Sequence, residues 1–298
     1  MIRRRDALKV FATSTASAVF GSISRSVKAF TVTPVEAPMP VGYVAHGSPL
    51  LLADKIRGPE LRAWGASMRE PLGIVVLTPH YRARGIEIGH VGVGFGMYNL
   101  PDWILAKTPK VSYRSPSNVE LAARVREVLA GLGKVEMATD RPGFDHTTWI
   151  PLFHMFPKAN IPVVEIAMPF WREAELFALG RALAPLRNEG VLFLGSGTIT
   201  HNLAAADLEG RAPVPTWSAS FDAWTKRTLI ARDLPALLDW RKQAPNAEVA
   251  HPDDGGHFRA LLVAVGVATG RSDKPASATF PVEGFELGNL SKRCVELT

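Results

Sequence analysis

The chain of 298 residues contains a single cysteine, Cys294. One cysteine excludes an internal disulfide framework and any zinc site built on cysteine ligands. A metal site in this protein must therefore use histidine and oxygen ligands. Internal repeats are missing too, and hydrophobic residues make up 47% and charged residues 21% of the chain. This composition argues against a disordered protein, a collagen-like protein and a coiled coil.

The sequence also lacks an apolar run long enough for a membrane-spanning helix. The stretch at residues 10–21 is weakly apolar, but it is short and rich in Ser and Thr. We therefore expect no stable insertion into a membrane.

Positive charge is concentrated at one end of the chain. The net charge is +6, from 34 Lys and Arg and 28 Asp and Glu. Residues 1–29 contain six of the basic residues and one acid, so the remaining chain has 28 basic and 27 acidic residues. A nearly neutral body offers no stripe for binding phosphates, and we expect no nucleic-acid partner.

The first 29 residues have the layout of an export signal. The segment Arg4-Arg5-Asp6-Ala7-Leu8-Lys9 resembles the twin-arginine motif, and the small residues Val27 and Ala29 suit a signal-peptidase site. These features predict a signal peptide at residues 1–29, a mature domain at residues 30–298 and the twin-arginine export machinery as a partner. The location expected is periplasmic or otherwise exported. A basic amphipathic tail is the alternative interpretation.

Strand-like and helix-like patterns alternate in the rest of the chain. Apolar runs typical of buried strands lie at residues 41–45, 73–78, 161–168 and 191–194, with further strands expected at 135–139 and 278–282. Helical patterns lie at residues 59–68, 117–132, 172–188, 221–232 and 258–267. This alternation predicts a single α/β domain with a mostly parallel central sheet flanked by helices. Residues 92–116 have no strong period and are expected to form a long functional loop.

The histidines carry most of the functional information. His46 directly follows the strand at 41–45, His80 follows the strand at 73–78, and His201 lies a few residues past the strand at 191–194. Because ligands of open α/β sheets bind beyond the carboxyl ends of the strands, these imidazoles can converge at one rim. Their convergence would favour a metal site, whereas a single histidine after a strand is more typical of a polar turn. His154 is expected in the core, and His90 and His251 at the surface.

Several short motifs become specific when they are taken together and in order: His46-Gly47-Ser48-Pro49, Thr78-Pro79-His80-Tyr81, the 143–149 segment GFDHTTW, Thr200-His201-Asn202-Leu203, the 256–262 segment GHFRALL and the 284–291 segment GFELGNLS. Their order resembles the class III extradiol ring-cleaving dioxygenases of the LigB superfamily, in the DOPA 4,5-dioxygenase-like branch. The resemblance covers roughly residues 40 to 295, and it implies that residues 30–298 form a catalytic domain.

The resemblance implies a set of site residues. It assigns His46, His80 and His257 to a divalent metal, and it places His201 at the metal as a further ligand or as the acid–base group. His146 would be a second polar histidine in the pocket and, with His201, a catalytic residue. Asp253 and Asp254 are alternatives to His257 as oxygen ligands.

The implied reaction opens the ring of a catechol-type substrate, DOPA-like or related, with O₂. Three neutral or carboxylate ligands on one face leave positions open for the diol and for O₂, an arrangement associated with non-heme Fe(II). We therefore expect one divalent metal ion per chain, Fe(II) for ring cleavage, with Zn(II) possible as the bound ion. The segment Gly94-Phe95-Gly96-Met97-Tyr98 lacks an acidic residue often found in the family. The sequence therefore does not identify which catechol is the substrate.

Two other functions stay open. A zinc-dependent hydrolase would use the same histidines to activate water, and an exported protein without catalytic activity would bind a metal or an aromatic ligand. The segment Leu194-Gly195-Ser196-Gly197-Thr198 is not a nucleophile elbow, and its glycines predict close backbone approach to the site. Gly92, Gly94 and Gly96 do not form a dinucleotide-binding fingerprint.

Overall fold

The computed structural model describes residues 30–31, 34–97, 100–138, 141–272 and 276–298. The predicted signal peptide at residues 1–29 lies outside these ranges. The described strands are β1 Val41–Ala45, β2 Gly73–Ala83, β3 Ile86–Ile88, β4 Val93–Phe95, β5 Arg114–Ser117, β6 Val135–Met137, β7 Val163–Pro169, β8 Val191–Gly197, β9 Ala278–Thr279, β10 Phe285–Glu286, β11 Leu290–Ser291 and β12 Val295–Leu297.

The described α-helices are α1 Arg57–Ser67, α2 Asp102–Leu105, α3 Val119–Leu129, α4 His146–Met155, α5 Glu173–Leu183, α6 Thr216–Ala231, α7 Leu234–Leu238, α8 Trp240–Gln243, α9 Ala247–Ala250 and α10 Gly256–Thr269. Short 3₁₀ turns lie at Pro49–Ala53, Ala130–Leu132, Ala184–Glu189 and Leu203–Ala205. Among the described residues, no helix has the length and apolar character needed to cross a membrane.

Eight strands form one central sheet in the order β6-β3-β7-β2-β8-β1-β12-β9. The four middle strands, β7, β2, β8 and β1, are parallel to their neighbours in that set. At one edge β12 and β9 run antiparallel, and at the other edge β3 is antiparallel to β7 and parallel to β6. The prediction of a single α/β domain with a mostly parallel central sheet flanked by helices is confirmed.

The central sheet separates two hydrophobic clusters. Val75 and Leu77 of β2 belong to one cluster, and Ile74 and Val76 belong to the other, because successive side chains of a strand point to opposite faces. The first cluster includes residues of α3, α5, α6 and α10, and the second includes residues of α1 and α4. Both faces are therefore covered, which explains why the middle strands are continuous apolar runs.

The strand β2 continues beyond its predicted end at residue 78. His80 therefore lies within the strand, although the apolar pattern placed it after the strand. The pairing of β2 with β7 is irregular between Thr78 and Arg82, since Pro79 has no N–H to donate to the ladder. Such irregularities redirect side chains locally and are frequent beside active sites.

The region at 92–116, predicted as a loop, contains regular structure. Strands β4 and β5 form an antiparallel pair, and the short α2 lies between them. Glycines allow this region to pack closely: a Cβ on Gly94 would lie 2.2 Å from the Phe144 ring, and a Cβ on Gly96 would lie 2.6 Å from the Trp149 ring. The region thus packs against the segment that leads into α4.

Candidate metal centre

Three of the predicted site histidines come from three separate parts of the fold. His46 directly follows β1, His80 lies in the irregular end of β2, and His257 lies in the first turn of α10. The sheet places β1 and β2 on either side of β8, and α10 packs on that strand. All three side chains consequently reach the carboxyl ends of the middle strands.

The three imidazole rings form a nearly equilateral triangle. The ring centroids are 5.4 Å apart for His46 and His80, 5.2 Å for His46 and His257, and 5.3 Å for His80 and His257. Each histidine offers one potential ligand atom, and these atoms lie within 4.8 Å of one another. The structure therefore brings together three side chains that are separated by up to 211 positions in the sequence.

Glycines in β8 allow α10 to lie close enough to complete the triangle. A Cβ on Gly197 would lie 2.1 Å from the backbone oxygen of His257, and a Cβ on Gly195 would lie 2.6 Å from the backbone oxygen of Ala260. The Tyr43 hydroxyl donates a hydrogen bond to the same His257 oxygen at 3.0 Å. The predicted close backbone approach of these glycines is thus confirmed, and its effect is to place His257.

Burial keeps two imidazoles of this triangle, those of His46 and His257, neutral. His46 and His257 are buried. Burial, followed by the neighbouring imidazoles, holds the pKa of each of these two side chains well below its usual range. Neutral imidazole is the form that binds metal ions.

The Nε2 atom of His257 shows that the site fits a cation. Within the described part of the chain, this buried nitrogen has no hydrogen-bond partner. An unpaired polar atom in the interior is costly unless something binds it. A divalent metal with nitrogen ligands suits this orphaned nitrogen and the two imidazoles beside it. The residues present therefore fit a divalent metal ion.

His146 lies beside the triangle and shares a carboxylate with it. Its ring centroid is 4.9 Å from that of His80. Asp145 Oδ1 lies 3.3 Å from His80 Nδ1 and 3.5 Å from His146 Nδ1. Burial opposes ionisation of Asp145, but the contacts with His146 and His80 outweigh burial and hold the pKa of this carboxyl well below its usual range. A fixed negative charge therefore faces both histidines.

His201 adjoins a different corner of the triangle, where it stacks on His257. The two ring centroids are 3.5 Å apart, with an angle of 12° between the planes. His201 Nδ1 lies 3.8 Å from Asp253 Oδ2, and burial lowers the pKa of His201 although Asp253 opposes this effect. Together with His257, these two residues offer a second set of potential ligand atoms.

The two aspartates considered as alternatives to His257 have different surroundings. Asp253 borders the histidines, whereas Asp254 pairs with Arg82 and lies 3.7 Å from Arg259 Nη1. Asp254 is thus committed to arginine contacts. Of the two acids, only Asp253 is placed beside the candidate metal centre.

The remaining histidines differ from one another in burial. His154 is buried, and its Nε2 lies 3.0 Å from the Leu51 oxygen, which confirms the prediction of a core residue. His90 is partly buried, with Nδ1 2.8 Å from the Arg141 oxygen. The prediction of a surface position is wrong for His251, which is fully buried. Aromatic rings from three helices surround it: Phe221, Trp240 and Phe258.

Two residues of the site were missed from the sequence. Ser196 lies in β8 with its hydroxyl oxygen 2.8 Å from His46 Nδ1. Asp145 caps the N-terminus of α4 by accepting the Thr147 N–H at 2.9 Å. The available signal for Asp145 was its place directly before a helix, where aspartate is favoured as an N-cap.

A family model and several known proteins match this chain. The model of the catalytic LigB subunit of aromatic ring-opening dioxygenase matches residues 52–285. A protein from Beta vulgaris named 4,5-DOPA dioxygenase extradiol is 32% identical over 234 residues, which cover 76% of this chain and 85% of that protein. A protein of the same name from Escherichia coli K12 is 29% identical over 271 residues, which cover 87% of this chain and 94% of that protein.

A solved structure has the same fold. The crystal structure of an uncharacterized protein from Escherichia coli K12 superposes with a TM-score of 0.73 at 29% sequence identity, and the match covers 87% of this chain and all of that one. The chain belongs to the LigB family of class III extradiol dioxygenases, in its DOPA dioxygenase-like branch.

Proposed function

We propose that this protein is a metal-dependent extradiol dioxygenase that opens the aromatic ring of a catechol-type substrate with O₂. The observation that carries the proposal is the triangle of His46, His80 and His257, which has a further histidine on each of two sides. Family membership supports ring opening as the reaction. DOPA is the first substrate to test, because relatives at 29–33% identity carry its name.

The three imidazoles would hold one divalent metal ion, for which we propose Fe(II). When bound, such an ion supplies Lewis acidity toward a catechol hydroxyl and a redox-active centre for O₂. Zn(II) fits the same nitrogen ligands but has no redox chemistry of its own. The neutral state of His46 and His257 at neutral pH, which burial enforces, keeps the ligand nitrogens free of protons.

His201 is the proposed acid–base residue. Its Nδ1 faces Asp253, so Nε2 is the ring nitrogen left to accept a proton from the substrate hydroxyl and to return it later. Since burial lowers its pKa, His201 is neutral and able to accept a proton at pH 7. Asp253 then lies where it stabilises the imidazolium that this transfer forms.

His146 is the proposed polar contact on the other side of the substrate. Its Nδ1 faces the ionised Asp145, which leaves Nε2 for a hydrogen bond to the substrate or to O₂. The described residues of the 92–116 region are proposed to form part of the substrate-binding wall, and within this region Gly96 packs on the indole of Trp149. That indole donates a hydrogen bond to the Met97 oxygen at 3.1 Å. Trp149 is itself fully buried, so it stabilises this region from within the core.

The test is oxygen uptake by protein that has been purified without oxygen and loaded with Fe(II). We expect O₂ consumption with a catechol, DOPA first, and formation of a yellow ring-fission product. Zinc-loaded protein is the control and is expected to consume no O₂. Hydrolytic turnover by the zinc form in the absence of O₂ would contradict the proposal and favour a hydrolase instead.

We further propose that residues 1–29 direct export by the twin-arginine route and that the mature chain is periplasmic. Expression of the full chain beside a variant with Arg4→Lys and Arg5→Lys tests this proposal. We expect periplasmic protein that begins at Phe30 from the unchanged chain and cytoplasmic precursor from the variant. Equal export of both chains would contradict the twin-arginine assignment.

A further inference from the structure

The first turn of α4 is linked to two histidines of the candidate metal centre, to His80 through Asp145 and to His46 through Ser196. This turn, residues 145–148, lies against β7, where the buried Glu165 accepts the Thr148 hydroxyl at 2.6 Å and the Asp145 N–H at 3.3 Å. Arg141 pairs with the same glutamate. The turn is thereby anchored to the central sheet, and the orientation of its polar groups is defined.

The carbonyl of Thr147 is free to accept a hydrogen bond from outside its helix. A regular helical hydrogen bond to this carbonyl would come from residue 151. That residue is Pro151, inside α4, and it has no N–H. The Ser196 hydroxyl donates to the Thr147 oxygen instead, at 2.7 Å.

This donation determines where the proton on His46 must be. A serine hydroxyl has one hydrogen, and in Ser196 it is used for the Thr147 carbonyl. The contact of 2.8 Å between Ser196 Oγ and His46 Nδ1 therefore requires Nδ1 to be the donor. In a neutral imidazole the lone pair then lies on Nε2.

A second chain of hydrogen bonds determines the proton on His80. The Thr147 hydroxyl donates to Asp145 Oδ1 at 2.8 Å. The contact of 2.6 Å between the hydroxyls of Thr78 and Thr147 is therefore donated by Thr78, whose oxygen in turn accepts the backbone N–H of His80 at 3.2 Å. Asp145 Oδ1 already accepts the N–H and the hydroxyl of Thr147. The His80 nitrogen that faces this acceptor at 3.3 Å therefore carries a proton.

We propose that the first turn of α4 sets the tautomers of His46 and His80, so that both present Nε2 to the metal ion. Ser196 and Asp145 are then positioning residues that act through these two ligands, and Pro151 keeps the Thr147 carbonyl available. The proposal rests on the metal site of the proposed function. Partners of this kind orient metal-bound histidines and typically change metal affinity or activity by about 10- to 100-fold.

The first test uses metal-free protein and needs no activity. Long-range ¹H–¹⁵N correlation spectra of protein labelled with ¹⁵N-histidine report the tautomer of each ring, and variants of single histidines assign the signals. We expect Nδ1–H and an unprotonated Nε2 for both His46 and His80 at pH 7.5. An Nε2–H tautomer at either residue would overturn the proposal.

The second test measures zinc affinity by competition with a chromophoric chelator. Ser196→Ala removes the acceptor for His46 Nδ1–H. Asp145→Asn keeps the helix cap but introduces an amide that can donate to His80. We expect each change to weaken zinc binding by about 10- to 100-fold and to lower the Nδ1–H population of its own histidine.

The matched controls are Thr225→Ala and Asp233→Asn. The first removes a buried hydroxyl that donates to the Phe221 oxygen within α6, and the second changes the aspartate that caps α7. Both are expected to bind zinc like the unchanged protein. Unchanged zinc affinity in Ser196→Ala and Asp145→Asn would overturn the proposal. Absence of ring cleavage beside the expected tautomers and affinities would refute only the proposed function.

Discussion

The two sides of the candidate metal centre hold their histidines in different ways. On the α4 side, His46 and His80 each have a polar partner, Ser196 and Asp145 respectively. On the α10 side, which comprises His201, His251, Asp253 and His257, the imidazoles of His201 and His257 stack on one another, and His201 Nδ1 lies 3.8 Å from Asp253 Oδ2.

This difference suggests that the histidines of the two sides respond differently to metal binding. The ligands of the α4 side are oriented by the protein before any ion binds. On the α10 side, both His251 Nδ1 and His257 Nε2 are buried without a hydrogen-bond partner among the described residues, and each such atom costs about 1–3 kcal/mol. A cation would satisfy the second of these atoms, so metal binding would give His257 the partner that the protein does not supply.

The largest expected effect comes from removing a ligand. His46→Ala or His80→Ala is expected to abolish stoichiometric metal content, because two imidazoles do not replace three. His201→Ala and His146→Ala are expected to keep the metal and to lower turnover by about 10²- to 10⁴-fold, as loss of an acid–base group does. Metal analysis and oxygen uptake on the same samples separate the two classes. A full complement of metal in His46→Ala would refute the ligand assignment.

The next effect concerns pH and the α10 side. Burial lowers the pKa of His251 to about 4, whereas an unfolded chain has about 6.5. The folded state therefore disfavours the protonated form: this contribution to stability is complete above pH 6.5 and is lost as the pH falls toward 4. Between pH 7 and pH 5 we expect the unchanged protein to lose about 2 kcal/mol through this residue.

Urea unfolding of metal-free protein at both pH values checks this expectation. His251→Leu removes the titrating group and is expected to reduce the pH dependence by that amount. The hydrogen bond of His251 Nε2 to the Ile199 oxygen, 2.8 Å long, is lost at both pH values, so its effect cancels. Equal pH dependence in the two proteins would show that His251 is not held neutral.

An effect of similar size is expected when α10 is displaced from β8. Gly197→Ala places a Cβ 2.1 Å from the His257 oxygen and 2.7 Å from the Tyr43 hydroxyl. Relief of this overlap must shift α10 away from β8, at a typical cost of about 1–3 kcal/mol, and we expect weaker zinc binding with it. Gly131→Ala, where no heavy atom lies within 4 Å of the added Cβ, is the control. Equal unfolding free energies and zinc affinities in both variants would contradict the proposed role of Gly197.

The parts of the fold that were predictable are those with a strong local pattern. The strands β1, β2, β7 and β8 are apolar runs, since both faces of the sheet are covered. Strands β3 and β12 were missed, because three residues are too few to show a period and both depend on pairing with distant strands. The outermost strands β6 and β9 were predicted, at 135–139 and 278–282, but the strands β3 and β12 that join them to the middle of the sheet were not.

The residues of the candidate metal centre also differ in whether a local sequence pattern indicates them. His46 and His80 were recognisable because apolar runs precede them, whereas His257, at the start of a helix, was indicated only by resemblance to the family. His251 precedes Pro252 in a polar segment, which suggested the surface, yet aromatic rings from α6, α8 and α10 bury it. The role of Ser196 depends on a carbonyl 49 positions away, and no local pattern reports such a contact.

The smallest expected effect concerns an ion pair that joins the two sides at the surface. Arg82 of β2 pairs with Asp254, which precedes α10, and the two side chains are 20% and 45% exposed. Pairs of this exposure contribute about 0.2–1 kcal/mol, and salt weakens them. We expect Arg82→Gln to lower the free energy of unfolding by less than 1 kcal/mol in dilute buffer and by still less in about 1 M salt, where the Debye length is about 3 Å. Urea unfolding measures this change. A larger or salt-independent loss of unfolding free energy would mean that this ion pair fixes the position of α10, a role that we assign to the glycines of β8.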